Sequence, residues 1–322
     1  MKILVTGGLG LIGHNVVRQL EDLDHDVVVV DNQTDYGIIP RVEIDYLIKQ
    51  RQKKIQTDRI YRVDIADQIG IYNLMRENQF DTVIHLASFP RQKVVNADPQ
   101  LGSRTMSEGL LNLLELSVKC KVNKFVYISS SMVYGDFADQ VREDAECCPQ
   151  GQYGIMKLAG EWLVKDYTRK SGMSHVIIRP SAVYGPLDVE DRVISKFLLT
   201  AMRSETIQVN GATETLDFTY VDDAAAGIVA AAVSAVENKT YNITKSHSKT
   251  LLEAAELAVS IVGSGSINVR GRDLDFPSRG ALNIDAARQE LGYNPQIDIE
   301  EGFEIYHQWL SESHYWQQQL KK

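Results

Sequence analysis

The chain has 322 residues, with 34 Lys and Arg against 43 Asp and Glu and a net charge of -9, which argues against a nucleic-acid partner because that wants a basic face. Two closely joined lobes suit this length better than one core, and no apolar run reaches the ~20 residues of a membrane span. Three cysteines, with Cys147 and Cys148 adjacent, suggest a reducing, cytoplasmic setting with neither a disulfide framework nor a metal site.

Lys2-Ile3-Leu4-Val5-Thr6 is short, apolar and β-branched, the pattern of a buried parallel strand. It runs into a turn containing Gly7, Gly8, Gly10 and Gly13, and these glycines, with no small-x-small site after them, rule against a signal peptide. A helical pattern follows through Val16, Val17 and Leu20, then a strand Val27-Val28-Val29-Val30 ending on Asp31. Strand, glycine turn, helix, strand and terminal acid make a dinucleotide-binding unit. Gly7 permits the turn, Gly10 admits a pyrophosphate, and Gly13 lets the helix pack on the strand. The N–H groups of Leu11 and Ile12 at the helix start are offered to phosphate oxygens. Asp31 can accept hydrogen bonds from the adenosine ribose hydroxyls and would repel a 2′-phosphate. No arginine follows at Asn32 or Gln33, so NAD is favoured over NADP, with Asn32 a further contact.

Tyr46 to Arg59 is polar and charged and reads as a surface helix and loop. Ile60-Tyr61-Arg62-Val63 is a third strand, ending at Asp64-Ile65. That pair suits an adenine, one residue for its amino group and one for its face; the competing reading is a helix capped at Asp67. Thr82 to Ala87 is a fourth strand, with Leu86, Ala87 and Ser88 placed to let a cofactor ribose lie against the backbone. His85 within it reads as a core residue. A helix from about Ser103 to Lys121 carries Leu110, Leu111, Leu113, Leu114 and Val118, a surface broad enough to meet both a sheet and a partner.

Phe125 to Ile128 is a fifth strand leading to Ser129-Ser130-Ser131-Met132, and Val176 to Pro180 is a sixth. Between them a helix opens on Tyr153-Gly154-Ile155-Met156-Lys157. Alternating strands and helices predict an α/β fold, a Rossmann-type doubly wound parallel sheet over residues 1–180. A smaller α/β substrate lobe is expected over 181–322, with 216–246 returning to the large sheet. Asp222-Asp223 is placed to cap an alanine-rich helix reaching Val236, and Leu251 to Val262 and Ile284 to Leu291 read as helices.

Tyr153 and Lys157 share one helix face. A free phenol titrates near ~10, and a neighbouring ammonium favours its phenolate, so the pair reads as an acid/base and its activator. Lys157 can also hold the nicotinamide ribose, and Ser130 can donate to an oxygen alternating between alcohol and ketone.

At this point the chain resembles the extended short-chain dehydrogenase/reductases, in particular the NAD-dependent nucleotide-sugar epimerases and dehydratases typified by UDP-glucose 4-epimerase. The resemblance covers nearly the whole length. It rests on the three spaced glycines, Asp64-Ile65, His85-Leu86-Ala87, the run Ser129 to Gly135 and Tyr153-x-x-x-Lys157. It continues through Arg179-Pro180 with Val183-Tyr184-Gly185-Pro186, Asp217-Phe218-x-Tyr220-Val221-x-Asp223, Tyr241-Asn242 and Leu291-Gly292-Tyr293-x-Pro295. It implies that Tyr153 is the acid/base, Lys157 its partner and Ser130 the hydroxyl donor. Ser130 and Ser131 would meet the substrate, and Arg179-Pro180 would lie near the nicotinamide. Arg279 would hold the pyrophosphate of a nucleoside-diphosphate sugar, the alternative being a surface ion pair. A homodimer through the helix bearing Tyr153 and the leucine-rich helix before it is implied as well.

Three departures narrow the activity. The related 4,6-dehydratases carry Asp-Glu where this chain has Ser131-Met132; Met132 can neither donate nor take the proton that elimination or decarboxylation needs. Leu216 stands where many relatives have an arginine on the pyrophosphate, a role open to Arg192 or Arg91. Ser181-Ala182 replaces a Phe-Asn. The resemblance thus implies an NAD-dependent epimerase of a nucleoside-diphosphate sugar, acting at C4 through a transient ketone. The alternatives are an NAD(P)H-dependent reductase of a 4-keto nucleotide sugar and a catalytically silent NAD-binding regulator.

Overall fold

The structure, a computed structural model, describes residues 1–37, 39–89 and 91–320. Its centre is a sheet of seven parallel strands: β1 Lys2–Thr6, β2 Asp26–Val30, β3 Ile60–Tyr61, β4 Thr82–His85, β5 Lys124–Ile128, β6 Ser174–Pro180 and β7 Lys239–Ile243. They lie in the order β7-β6-β5-β4-β1-β2-β3. Side chains alternate across the sheet. Ile3, Val5, Val27, Val29, Ile84 and Val126 enter one apolar layer, and Leu4, Val28, Val30, Val83 and Phe125 the other. Helices cover both faces, so strands apolar throughout are the stable choice. This is the doubly wound Rossmann-type sheet.

Strand order reverses between β1 and β4, which opens a crevice at their carboxyl ends. β1 enters the glycine turn there and β4 enters Leu86-Ala87-Ser88. Gly7 has φ +72, and a Cβ on it would lie 2.6 Å from the Ala87 nitrogen. A Cβ on Gly13 would lie 2.1 Å from the Gly7 carbonyl oxygen. Turn, helix Leu11–Asp22 and β4 therefore approach too closely for any side chain at these two positions.

Beyond Pro180 the chain builds a second apolar core from Tyr184, Leu198, Phe218, Tyr220, Ala255, Phe303, Tyr306, Leu310 and Trp316. Two-stranded pairings brace it: Thr206–Asn210 with Ser266–Arg270, and Thr215–Asp217 with Ser248–Thr250. β7 leaves this region and pairs with β6 from Lys239↔Val176 to Ile243↔Pro180. Helix Leu251–Val262 starts in a capping box: the Thr250 hydroxyl accepts from Glu253 N at 3.0 Å, and the Glu253 carboxylate accepts from Thr250 N at 2.8 Å. Thr250→Ala is expected to cost about 1 kcal/mol, read as a small fall in denaturant midpoint; a change under a few tenths would mean water caps the helix equally well.

Several details differ from the sequence reading. The charged stretch Tyr46 to Arg59 holds a helix and then a loop, but the helix begins earlier, at Arg41, and one of its faces is buried. Helix Arg41–Gln52 buries Glu43, Ile44, Leu47, Ile48 and Arg51, which fall on one face at helical spacing. The leucine-rich helix is Gly109–Lys119, preceded by a π-helical turn, Arg104–Glu108. Asp222 and Asp223 do not cap their helix: it begins at Val221 after Tyr220, and both carboxylates leave it for other partners. Asp222 takes Arg18 at 2.8 Å, and Asp223 accepts the backbone N–H of Gln296 and Ile297, both at 2.9 Å. The helices Ile299–Glu312 and His314–Gln319 that close the second core carry no motif. Among the described residues no helix is long and apolar enough to cross a membrane.

Candidate active site

Three adjoining cavities of about 120, 240 and 260 Å³ follow the carboxyl ends of the strands. The smallest is lined by Asp31, Asn32, Asp64, Ile65, Ala87 and Ser88. Asn32 Nδ2 donates to Asp64 at 3.1 Å, and the other Asp64 oxygen accepts from Ala66 N at 2.9 Å. Asp67 caps helix Gln68–Asn78, so the two sequence readings of this stretch are compatible. Tyr36, edge-on to Phe89 at 4.9 Å and donating to the Ser88 carbonyl at 3.1 Å, closes the cavity.

The second cavity is lined by the glycine turn with Leu11 and Ile12, by Asp31, by Leu86 to Ser88, and by Tyr153, Lys157 and Pro180. Asp31 is the hinge between the first two. One of its oxygens accepts from Leu9 N at 3.0 Å and the other from Gln33 N at 2.8 Å, leaving acceptor capacity on both for hydroxyl donors. Burial pushes its carboxyl above the ordinary range, against those two N–H groups and the charge of Arg51. A glycine cradle that a Cβ would fill, free N–H groups at a helix start and a carboxylate aimed at a ribose-sized space fit a dinucleotide.

The third cavity shares Tyr153, Pro180, Ser129, Arg91 and Arg192 with the second and adds Ser130, Ser131, Met132, Leu216 and Arg279. Tyr153 thus stands at the junction. Burial raises its phenol pKa, opposed first by the hydrogen-bonding Ser130 hydroxyl and then by the charge of Arg192. Lys157 donates to the Ile128 carbonyl at 2.7 Å, with its ammonium 5.9 Å from the Tyr153 ring centre. Burial lowers Lys157 from its ordinary 10.5 to about 7, partly offset by Glu161.

This lysine has a thermodynamic signature. Between pH 7 and 10.5 the unfolded chain holds a proton that folded Lys157 has released. Its contribution to stability therefore rises with pH across that window, and at lower pH the buried charge is fully penalised. Lys157→Met is expected to stabilise the protein most near about pH 6 and progressively less towards about pH 9. Denaturant melts at both pH values measure this; a pH-independent difference would refute it.

The reading of Arg179 is corrected. Pro180 lines the cavities, but the Arg179 side chain turns away into a buried pair with Glu161, Nε to Oε1 2.9 Å and an Nη to Oε2 2.7 Å. Ser129 donates to the same carboxylate at 2.6 Å, and Arg179 also reaches Tyr134 at 2.9 Å. The charged network lies under Lys157, out of reach of a ligand. His85 is a core residue, bonded to Thr6 at 2.8 Å and lowered to about 3 by burial and by the charge of Lys157.

Of the candidate arginines, Arg279 lines the third cavity and has no carboxylate within ion-pair distance among the described residues. Its Nε is buried without a partner, and an Nη lies 3.5 Å from the Met132 sulfur. Burial lowers it to about 10. That is not a surface ion pair. Arg91 is committed to Asp191, bonding its carbonyl at 2.8 Å and its carboxylate, whereas Arg192 sits 3.7 Å from Asp188 and is the freer cation. Ser181 Oγ and Gln92 Oε1 are buried beside this cavity without partners, and Ala182 is held at φ +30. Gln92 and Arg51 escaped the sequence reading; for Arg51 the signal was its helical spacing from Ile44 and Ile48.

Comparison with known proteins agrees with this architecture. Residues 3–244 match the model of a family described as NAD dependent epimerase/dehydratase family. The chain is 27% identical over 312 residues to an uncharacterized UDP-glucose epimerase, YtcB, of Bacillus subtilis (strain 168), covering 94% of this chain and 95% of that one. It is 27% identical over 360 residues to a dTDP-glucose 4,6-dehydratase of Escherichia coli, covering 98% and 96%. Among solved structures, UDP-glucuronic acid 4-epimerase from Bacillus cereus in complex with UDP-glucuronic acid and NAD is 28% identical. It has a TM-score of 0.87, with 97% of this chain and 99% of that one covered.

Proposed function

The chain belongs to the NAD dependent epimerase/dehydratase family, and on that premise we propose that it epimerises a nucleoside-diphosphate sugar at C4 of the hexose. The observation that carries this reading is Met132. It packs beside Tyr153 and lines the sugar cavity where elimination of water would need an acid. Of the carboxylates lining that cavity, Asp191 is bonded by Arg91, whereas Asp188 accepts from Val189 N at 2.9 Å through one oxygen and has Arg192 3.7 Å from the other. Proton transfer at one hydroxyl is supported; loss of a second oxygen is not.

NAD, when bound, supplies the hydride acceptor and donor that carry the sugar through a transient 4-ketone. The glycine turn with Leu11 and Ile12, Asp31, Asn32, Asp64, Ile65, Leu86, Ala87, Ser88, Lys157 and Pro180 would hold it. Tyr153 takes the C4 hydroxyl proton and returns it, its phenolate favoured by Ser130 and Arg192. Ser130 fixes the oxygen, Ser131 lies beside it, and Arg279 and Arg192 hold the diphosphate with bidentate guanidinium geometry.

Two finer points belong to this reading. The helix Gly151–Ser171 exposes Ile155 and Trp162, two turns apart on one face, and the leucine-rich helix exposes Val118. These apolar groups suit a homodimer seam, measurable by light scattering. Free Cys120, Cys147 and Cys148 suit a cytoplasmic setting.

The test is on protein as purified: denature it, identify the released nucleotide, and follow reduced-nicotinamide absorbance while a panel of nucleotide sugars is added. A new epimer formed without external cofactor supports the proposal and names the sugar. Activity only on a keto sugar with added NAD(P)H would move the assignment to a reductase.

A further inference from the structure

Helix Arg41–Gln52 delivers a cation that the reaction described above does not use. Arg51 is 6% exposed and lines the middle cavity between the glycine turn and the Gly185 to Arg192 segment. One Nη donates to the Leu9 carbonyl at 2.9 Å and the other to the Leu187 carbonyl at 2.7 Å. Its Nε is buried without a partner. No carboxylate lies within ion-pair distance of it among the described residues; Asp188 and Asp31 act on it only from farther away. A guanidinium taken out of water without a paired anion is costly to the fold, and the cavity it borders is the one that fits a dinucleotide.

Both carbonyls it holds matter to that cavity. Leu9 directly precedes Gly10, the cap of the helix whose first N–H groups are free. Leu187 sits at φ +70, a conformation that a branched side chain rarely adopts, in the segment leading to Asp188 and Arg192. We propose that Arg51 is the diphosphate-facing cation of the cofactor cleft, completing the charge of the dinucleotide's bridging phosphates while clamping the glycine turn to the sugar-side segment. The inference rests on the NAD site alone, so a sugar panel that reassigned the reaction would leave it standing.

The test compares full-length wild type, Arg51→Gln and Arg51→Lys, each freed of nucleotide, by calorimetric titration with NAD, ADP-ribose and adenosine. Arg51→Gln is expected to weaken NAD and ADP-ribose by a similar factor, on the order of tenfold or more, and to leave adenosine unchanged. Arg51→Lys, which keeps the charge but not the fork, should lose less on the two diphosphates. ADP-ribose affinity within twofold of wild type in Arg51→Gln overturns the proposal. So does an equal loss for all three ligands, which would make Arg51 a brace of the cleft alone. Should Arg51→Gln fail to fold, Arg51→Lys decides: weaker ADP-ribose with unchanged adenosine supports the proposal, and unchanged ADP-ribose ends it.

Discussion

Tyr153→Phe is expected to lower turnover on the order of 10³-fold while the protein still purifies with NAD. General acid–base catalysis by one positioned group is worth about 10²–10⁴-fold, and His85, Lys157 and Ser129 are each committed elsewhere. His85 faces Thr6 in the core, with its pKa near 3. Lys157 spends a donor on the Ile128 carbonyl, and Ser129 donates to Glu161. The substitution removes one oxygen from a buried ring that packs with Phe89, Val94, Met106 and Met132, so the cavities keep their shape. Rapid-quench turnover and the nucleotide content of the same preparation should be measured together. A loss under tenfold would take the proton-transfer role away from Tyr153. Loss of bound NAD along with activity would make the residue a structural one.

Glu161→Gln is expected to destabilise the protein by about 3–5 kcal/mol, the usual cost of leaving one member of a buried ion pair alone. Glu161 is fully buried, takes two bonds from Arg179 and one from Ser129, and lies one helical turn past Lys157. The amide preserves shape but leaves the Arg179 charge without its anion. It also removes the charge that supports protonated Lys157, whose pKa should then fall below about 7. Denaturant midpoints report the first effect, and NMR titration of labelled lysine the second. Replacing Glu161 and Arg179 together by apolar residues of similar volume should recover much of the stability, since the penalty belongs to the orphaned charge. A single substitution costing under about 1 kcal/mol would mean water reaches this network.

How legible these features were depended on how local they are. The unit from Lys2 to Asp31 declares itself because strand, turn, helix and acid follow one another directly, and each has its own residue signature. Tyr153 and Lys157 could be paired from helical spacing, but their ionisation could not be read, because burial dominates both and burial is a property of the assembled lobes. Arg179 shows where strand parity should have been applied. Ile177 faces the layer that holds Val164, and Arg179, two residues on, meets Glu161 of the same helix instead of the cofactor. Arg51 was hidden by its neighbours: a run of lysines, arginines and glutamines looks solvated, and only its spacing from Ile44 and Ile48 tells otherwise. The partners of Asp222 and Asp223 were out of reach, since Arg18 and Gln296 are joined to them only by the tertiary fold.

The second core draws on residues scattered to the far end of the chain. Tyr184 and Phe218 pack with Phe303, Tyr306, Leu310 and Trp316, while the cleft above begins at Gly7. A ribosome translating this message therefore emits the phosphate-binding turn well before the residues that close the second core. Until Trp316 has emerged, Tyr184, Phe218 and Tyr220 have no lasting cover, and the nascent chain shows an apolar surface that a chaperone would recognise. Premature stop codons anywhere upstream should yield protein that is degraded rather than merely inactive, however much of the nucleotide-binding half it contains.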